Sequence, residues 1–167
     1  MYPFTITKTT TKKSKGTNKI KYLILHHTAG GTFDSNVKIL SGVPVNNNPV
    51  SVHFVVGKGE EVAKIGDPSD ILRHCGESSR GGDVANKSLN AFAMGIEVVG
   101  FGEYNVKQFI RITDLVEYLM WHFGIPAENV LRHKDITQHD ANRLKNKQLR
   151  YQGIPSRKPD IADSFFP

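Results

Sequence analysis

The chain has 167 residues, 38% hydrophobic and 23% charged, with a formal net charge of +6 and a pI near 9.4. That length suits one domain with a single core, no apolar run reaches the roughly 18 residues of a membrane-spanning helix, and the single Cys75 excludes an internal disulfide and any all-cysteine zinc site. The basic balance favours polyanionic partners, whether nucleic acid, an anionic membrane or an anionic cell wall, without choosing among them.

Met1 to Asn18 is rich in Thr and Lys, including Lys8, Lys12, Lys13 and Lys15. It reads as a basic arm over residues 1–19, with little helical character and no apolar core of a signal peptide. The remainder, 20–167, reads as one domain. Lys21 to His26 is an apolar strand, and Phe33 to Ser41 a short helix ending at Gly42. Val43 to Pro49 is a loop. Ser51 to Gly57 alternates as a strand does and pairs with Glu60 to Ile65 across Gly57-Lys58-Gly59 as a hairpin. Ile71 to His74 is a further short strand, and Glu77 to Leu89 a surface loop. Ala91 to Val99 is apolar enough for a central strand. Val106 to Phe123 is the clearest helix: Phe109, Ile112, Val116, Leu119, Met120 and Phe123 recur at spacings of three and four, Gly124 is a C-cap, and Pro126 blocks continuation. Asp140 to Gln148 is polar enough for a short surface helix. Strands mixed with one long and several short helices predict an α/β fold with a mixed sheet.

Four places carry chemistry. The strand Tyr22-Leu23-Ile24-Leu25 runs straight into His26 and His27, and Val130-Leu131-Arg132 runs into His133. A strand end holds a side chain rigidly, and neutral imidazole is the commonest zinc ligand. A third donor follows in Ser156-Arg157-Lys158-Pro159-Asp160. Two His and one carboxylate leave a fourth zinc position open, as in catalytic rather than structural sites. Glu97 lies inside the apolar strand Gly95-Ile96-Glu97-Val98-Val99. A carboxylate there faces solvent, pairs, or serves a site as general base. His53 reads as a satisfied core histidine, His122 as a cation at a helix C-terminus, and Cys75 as a small buried residue.

These segments together resemble the zinc-dependent N-acetylmuramoyl-L-alanine amidases, the family that includes phage lysozyme-type amidases, bacterial muropeptide amidases and peptidoglycan recognition proteins. LILHHTAGG, SVHFVV, RHCG, NAFAMGIEVVG, GIPAENVLRHKDI and SRKPD stand in family order and span roughly Ile20 to Phe166. The resemblance implies the peptidoglycan recognition protein-like amidase fold, a mixed central sheet flanked by helices. It implies one zinc per chain held by His26, His133 and Asp160, with Glu97 acting on the water and Lys158 stabilising the oxyanion. It places His74 and Asn90 at the substrate groove. The implied reaction is cleavage of the amide between N-acetylmuramic acid and L-alanine.

Three departures bear on this. Val52 stands where several members carry a catalytic Tyr, Arg73 replaces the Trp of a W-H-A-G-like segment, and Thr137 to Pro155 lengthens the path from His133 to Asp160. Asp135, His139 and Asp140 lie near that insertion and are alternative metal donors. The rival readings are a non-catalytic peptidoglycan-binding module, a cytoplasmic muropeptide-recycling amidase and a basic nucleic-acid binder. The last is disfavoured by the lack of any helix-turn-helix, RNA-binding or zinc-finger pattern. The compact basic domain without a signal peptide points to an endolysin made in the host cytoplasm, acting on the wall after release, with bacterial peptidoglycan as partner.

Overall fold

The computed structural model describes residues 2–10, 12–42, 50–75 and 89–136. Its centre is a six-stranded mixed sheet in the order β1-β5-β4-β7-β3-β8. The strands are β1 (Ile6–Thr7), β3 (Tyr22–His27), β4 (Phe54–Val56), β5 (Val62–Lys64), β7 (Ala93–Val98) and β8 (Val130–Arg132). A separate antiparallel pair joins β2 (Lys13–Ser14) to β6 (Ile71–Leu72). In the main sheet β4, β7, β3 and β8 run parallel, and the hairpin partner β5 is antiparallel to β4. Strands β3 and β7 sit at the middle, covered on both faces, which is why their sequences are continuously apolar rather than alternating.

Helix α2 (Val106–Phe123) covers one face. Leu23 and Leu25 of β3 and Met94, Ile96 and Val98 of β7 pack there with Ile112, Leu115, Val116 and Leu119. Asn105 caps the helix N-terminus by accepting from Gln108 N, and Gly124 ends it in the left-handed region, with φ of 63°. The expected bounds hold, but the buried stripe is shifted. Gln108 is buried and donates from Nε2 to Val99 O at 2.8 Å, while Phe109 is exposed. The helix therefore meets the sheet partly through a polar side chain that satisfies the carbonyl just past β7.

The opposite face carries two smaller clusters. Helix α1 (Phe33–Ser41) brings Val37 and Leu40 onto Val55, Ala63, Ile65 and Val99. The turn Leu89–Ala91 and the short helix α3 (His133–Ile136) bring Leu89 and Ile136 onto Ile24, Ala93 and Leu131. Between these clusters, toward the C-terminal ends of the parallel strands, this face becomes polar.

The segment expected as a basic arm differs from expectation. Strand β1 pairs in parallel with β5, and Thr5, Lys8 and Thr10 donate backbone N–H groups to Val62, Lys64 and Ile65 carbonyls. Tyr2, Thr10, Lys12 and Asn18 are buried. Lys12 is drawn inward because its Nζ donates to Ile39 O at 2.6 Å and Val50 O at 3.4 Å, and burial lowers its pKa. The segment is an edge of the fold, and only Lys8, Lys13 and Lys15 of the four lysines are on the surface.

Candidate active site at the strand ends

Side chains alternate along a strand, so the residues sharing a face follow from register. His26 pairs with Glu97 across the parallel β3–β7 ladder, and Glu97 pairs with Val55 of β4. Paired residues of parallel strands point the same way, so His26 and Glu97 project side by side from the face opposite α2. His27 belongs to the other face, and its Nδ1 accepts from Ala29 N at 3.2 Å. The adjacent histidines of the HH pair are thus split between the two sides of the sheet.

His133 follows the last β3–β8 pair, Leu25 with Arg132. It opens α3, and its ring centre lies 4.8 Å from that of His26. Strand ends and register bring His26, Glu97 and His133 together from positions more than a hundred residues apart. Glu97 is only 8% exposed, which decides against the solvent-facing alternative for this carboxylate.

His74 approaches from the loop after β6. Its Nδ1 lies 3.1 Å from His26 Nε2, with the rings edge to face at 87°. Its Nε2 lies 3.4 Å from Ala93 O. Gly95 makes room for it: a Cβ at position 95 would stand 2.7 Å from the imidazole ring. Asn90 fixes the backbone, its Oδ1 accepting from both His74 N and Cys75 N at 2.9 Å. Burial, with His53 and His133 nearby, lowers the His74 pKa to about 3. His74 and Asn90, expected at the substrate groove, are both buried to about the same degree as Glu97, with His74 against His26 and Asn90 holding the His74 backbone.

His53 is fully satisfied, as its place beside a strand suggested. Gly95 N donates to its Nδ1 at 3.0 Å, so Nε2 carries the proton and donates to Asp70 O at 3.0 Å. Desolvation is the main reason its pKa falls to about 4. Cys75 is buried, and burial raises its thiol pKa well out of the reactive range. Val52 is buried in the cluster under α1 and brings no hydroxyl to the site.

The donor chemistry fits a zinc ion. Two imidazoles, one at the end of β3 and one just past β8, have ring centres 4.8 Å apart, and the Glu97 carboxylate is the register partner of the first; these are donor types that zinc takes. Among the described residues no third His, Cys, Asp or Glu completes a metal-binding trio. Asp160 and Lys158, with the alternatives His139 and Asp140, lie outside the described residues. The same holds for the side chain of Asp135.

The family profile described as N-acetylmuramoyl-L-alanine amidase matches residues 16–148. Solved structures agree in fold. PlyL superposes with a TM-score of 0.66 at 22% identity, covering 87% of this chain and 91% of its own. AmpD gives 0.61 at 19% identity, covering 83% and 87%. The N-acetylmuramyl-L-alanine amidase AmiD from E. coli, solved with an anhydro-N-acetylmuramic acid peptide, gives 0.60 at 24% identity, covering 86% of this chain and 61% of its own. Comparison with curated protein sequences gives no significant match.

Proposed function

Because the chain belongs to the N-acetylmuramoyl-L-alanine amidase family, we propose that it hydrolyses the amide between the lactyl group of N-acetylmuramic acid and the L-alanine of the peptidoglycan stem. The observation that carries this is the in-register pair His26–Glu97 with the His133 ring 4.8 Å from His26. His26, His133 and Asp160 would hold one zinc per chain. The bound ion would act as a Lewis acid that makes water nucleophilic near neutral pH. Glu97 takes the proton from the attacking water and returns it to the leaving amine. Its burial beside His26 holds the carboxylate in one place and keeps bulk water from competing for that proton. Lys158 supplies positive charge where the carbonyl oxygen becomes negative. The basic surface suits an anionic wall, and with it the role of an endolysin that lyses its host from within. The main alternative role, cytoplasmic recycling of muropeptides, uses the same chemistry. A non-catalytic binding module has no need of the Glu97 carboxylate or the Asp160 donor.

The test is mass spectrometry of purified peptidoglycan after incubation with the protein. Free stem peptides beginning with L-Ala are expected. Glycan fragments with intact stems, or no release at all, would overturn the reading. Metal analysis should find one zinc per chain, lost in His26→Ala and His133→Ala and kept in His139→Ala and Asp140→Ala.

A further inference from the structure

His74 is buried against His26 and is closely held. Gly95 leaves it space, Asn90 pins its backbone, and its two ring nitrogens face different partners. Nε2 faces the carbonyl of Ala93, which can only accept. A neutral His74 therefore carries its proton on Nε2 and leaves Nδ1 as an acceptor. The charged alternative would bury an imidazolium among the rings of His26 and His53, with a metal cation expected next door. That arrangement is strongly unfavourable. His74 Nδ1 is met by His26 Nε2 at 3.1 Å and by Cys75 Sγ at 3.3 Å. Both can only be donors to it, so His26 bears its proton on Nε2. The lone pair of His26 is then on Nδ1.

We propose that His74 is a positioning residue that fixes the His26 tautomer and ring orientation, so that His26 meets the metal through Nδ1. This rests on the reading of His26 as a metal ligand. The hydrogen bond runs from His26 Nε2–H to His74 Nδ1, and from His74 Nε2–H to Ala93 O. The relay ends on a strand carbonyl, so it is anchored to the sheet that also carries Glu97. A ligand imidazole whose second nitrogen donates in this way is also a better electron donor to its metal.

Two measurements test this on the full chain. Long-range proton–nitrogen correlation spectra of the metal-free protein at neutral pH report which nitrogen of each imidazole is protonated. Protonated Nε2 and bare Nδ1 are expected at both His26 and His74. A His26 protonated on Nδ1 would overturn the proposal. The second is zinc affinity by competition with a chromophoric chelator. His74→Phe keeps a planar, somewhat larger ring and removes the acceptor, and should weaken zinc binding roughly ten- to hundredfold. His74→Gln, which can present an oxygen acceptor, should lose less. Unchanged affinity in a folded His74→Phe would also refute the assignment. The spectra need no variant, so they decide even if His74→Phe does not fold. Failure of the zinc reading itself would appear differently, as no zinc bound by the unaltered protein whatever the tautomer.

Discussion

A buried carboxylate in the middle of a sheet is costly unless its surroundings give it work or partners. Glu97 stands between Val55 and His26 across the three strands β4, β7 and β3. Its isostere Gln keeps the shape and much of the hydrogen bonding but cannot accept a proton. Glu97→Gln should retain the melting temperature and zinc content of the unaltered protein while losing at least about a hundredfold in turnover, the usual scale for a general base. Near-normal turnover of a soluble muropeptide would remove Glu97 from the mechanism. Lys158→Ala should also slow turnover but leave a measurable rate, because charge stabilisation is graded where proton transfer is not.

Elements with a strong period or an unambiguous terminator were readable in advance. Helix α2 is bounded by Asn105 and Gly124, and α1 by Thr32 and Gly42. The β4–β5 hairpin follows from two short β-rich runs around Gly57-Lys58-Gly59. Gly124 offers a clean measure of how much its cap contributes. A Cβ there would meet nothing within 4 Å, so Gly124→Ala tests backbone strain alone. It should cost about 1 kcal/mol, seen as a lower denaturant midpoint at unchanged slope; an unmoved midpoint would mean that the helix ends without help from the left-handed residue. Strands β1 and β2 have two residues each, too short for any period to show, whereas β6, equally short, falls within the strand expected over Ile71 to His74. The depth of His74 was hidden for a different reason. Nothing local to Arg73-His74-Cys75 tells which ring it will face, and only the register of β7 puts Gly95 beneath it. Strand-end histidines were visible because the chemistry sits where a local pattern stops. The support beneath them depends on contacts distant in sequence.

Taken as a whole, the molecule carries buried neutral histidines within a basic shell, and each has a measurable consequence. His53 titrates near 4 when folded and near 6.5 when unfolded. Between those values the unfolded chain binds the extra proton, so stability is full above pH 6.5 and falls as pH drops toward 4. The loss is about 1.4 kcal/mol per pH unit in that window, about 3 kcal/mol in all. Denaturant melts of metal-free protein from pH 7 to 4.5 should show it, and His53→Gln should flatten the slope; an equal slope in the variant would assign the loss elsewhere. The shell is tested through the N-terminal segment. Removing residues 1–15 would take away the β1 edge and the buried Tyr2, so it should destabilise the fold and cannot isolate charge. Replacing Lys8, Lys13 and Lys15 by Gln removes three exposed positive charges and leaves the buried Lys12 in place. The ion pair lost with Lys13, at 2.9 Å from Asp70, is half exposed at the lysine and nearly buried at the carboxylate, so the melting temperature of the variant is compared with the parent's alongside its binding. If these lysines concentrate the enzyme on an anionic wall, the triple variant should sediment less with intact walls at low salt. It should match the parent at high salt, where screening is complete within a few ångströms. Cleavage of a small soluble muropeptide should be unchanged, since none of the three lysines lies on β3, β7 or α3, the elements that carry His26, Glu97 and His133. A variant that sediments like the parent at every salt concentration would leave wall attraction to charges elsewhere on the surface.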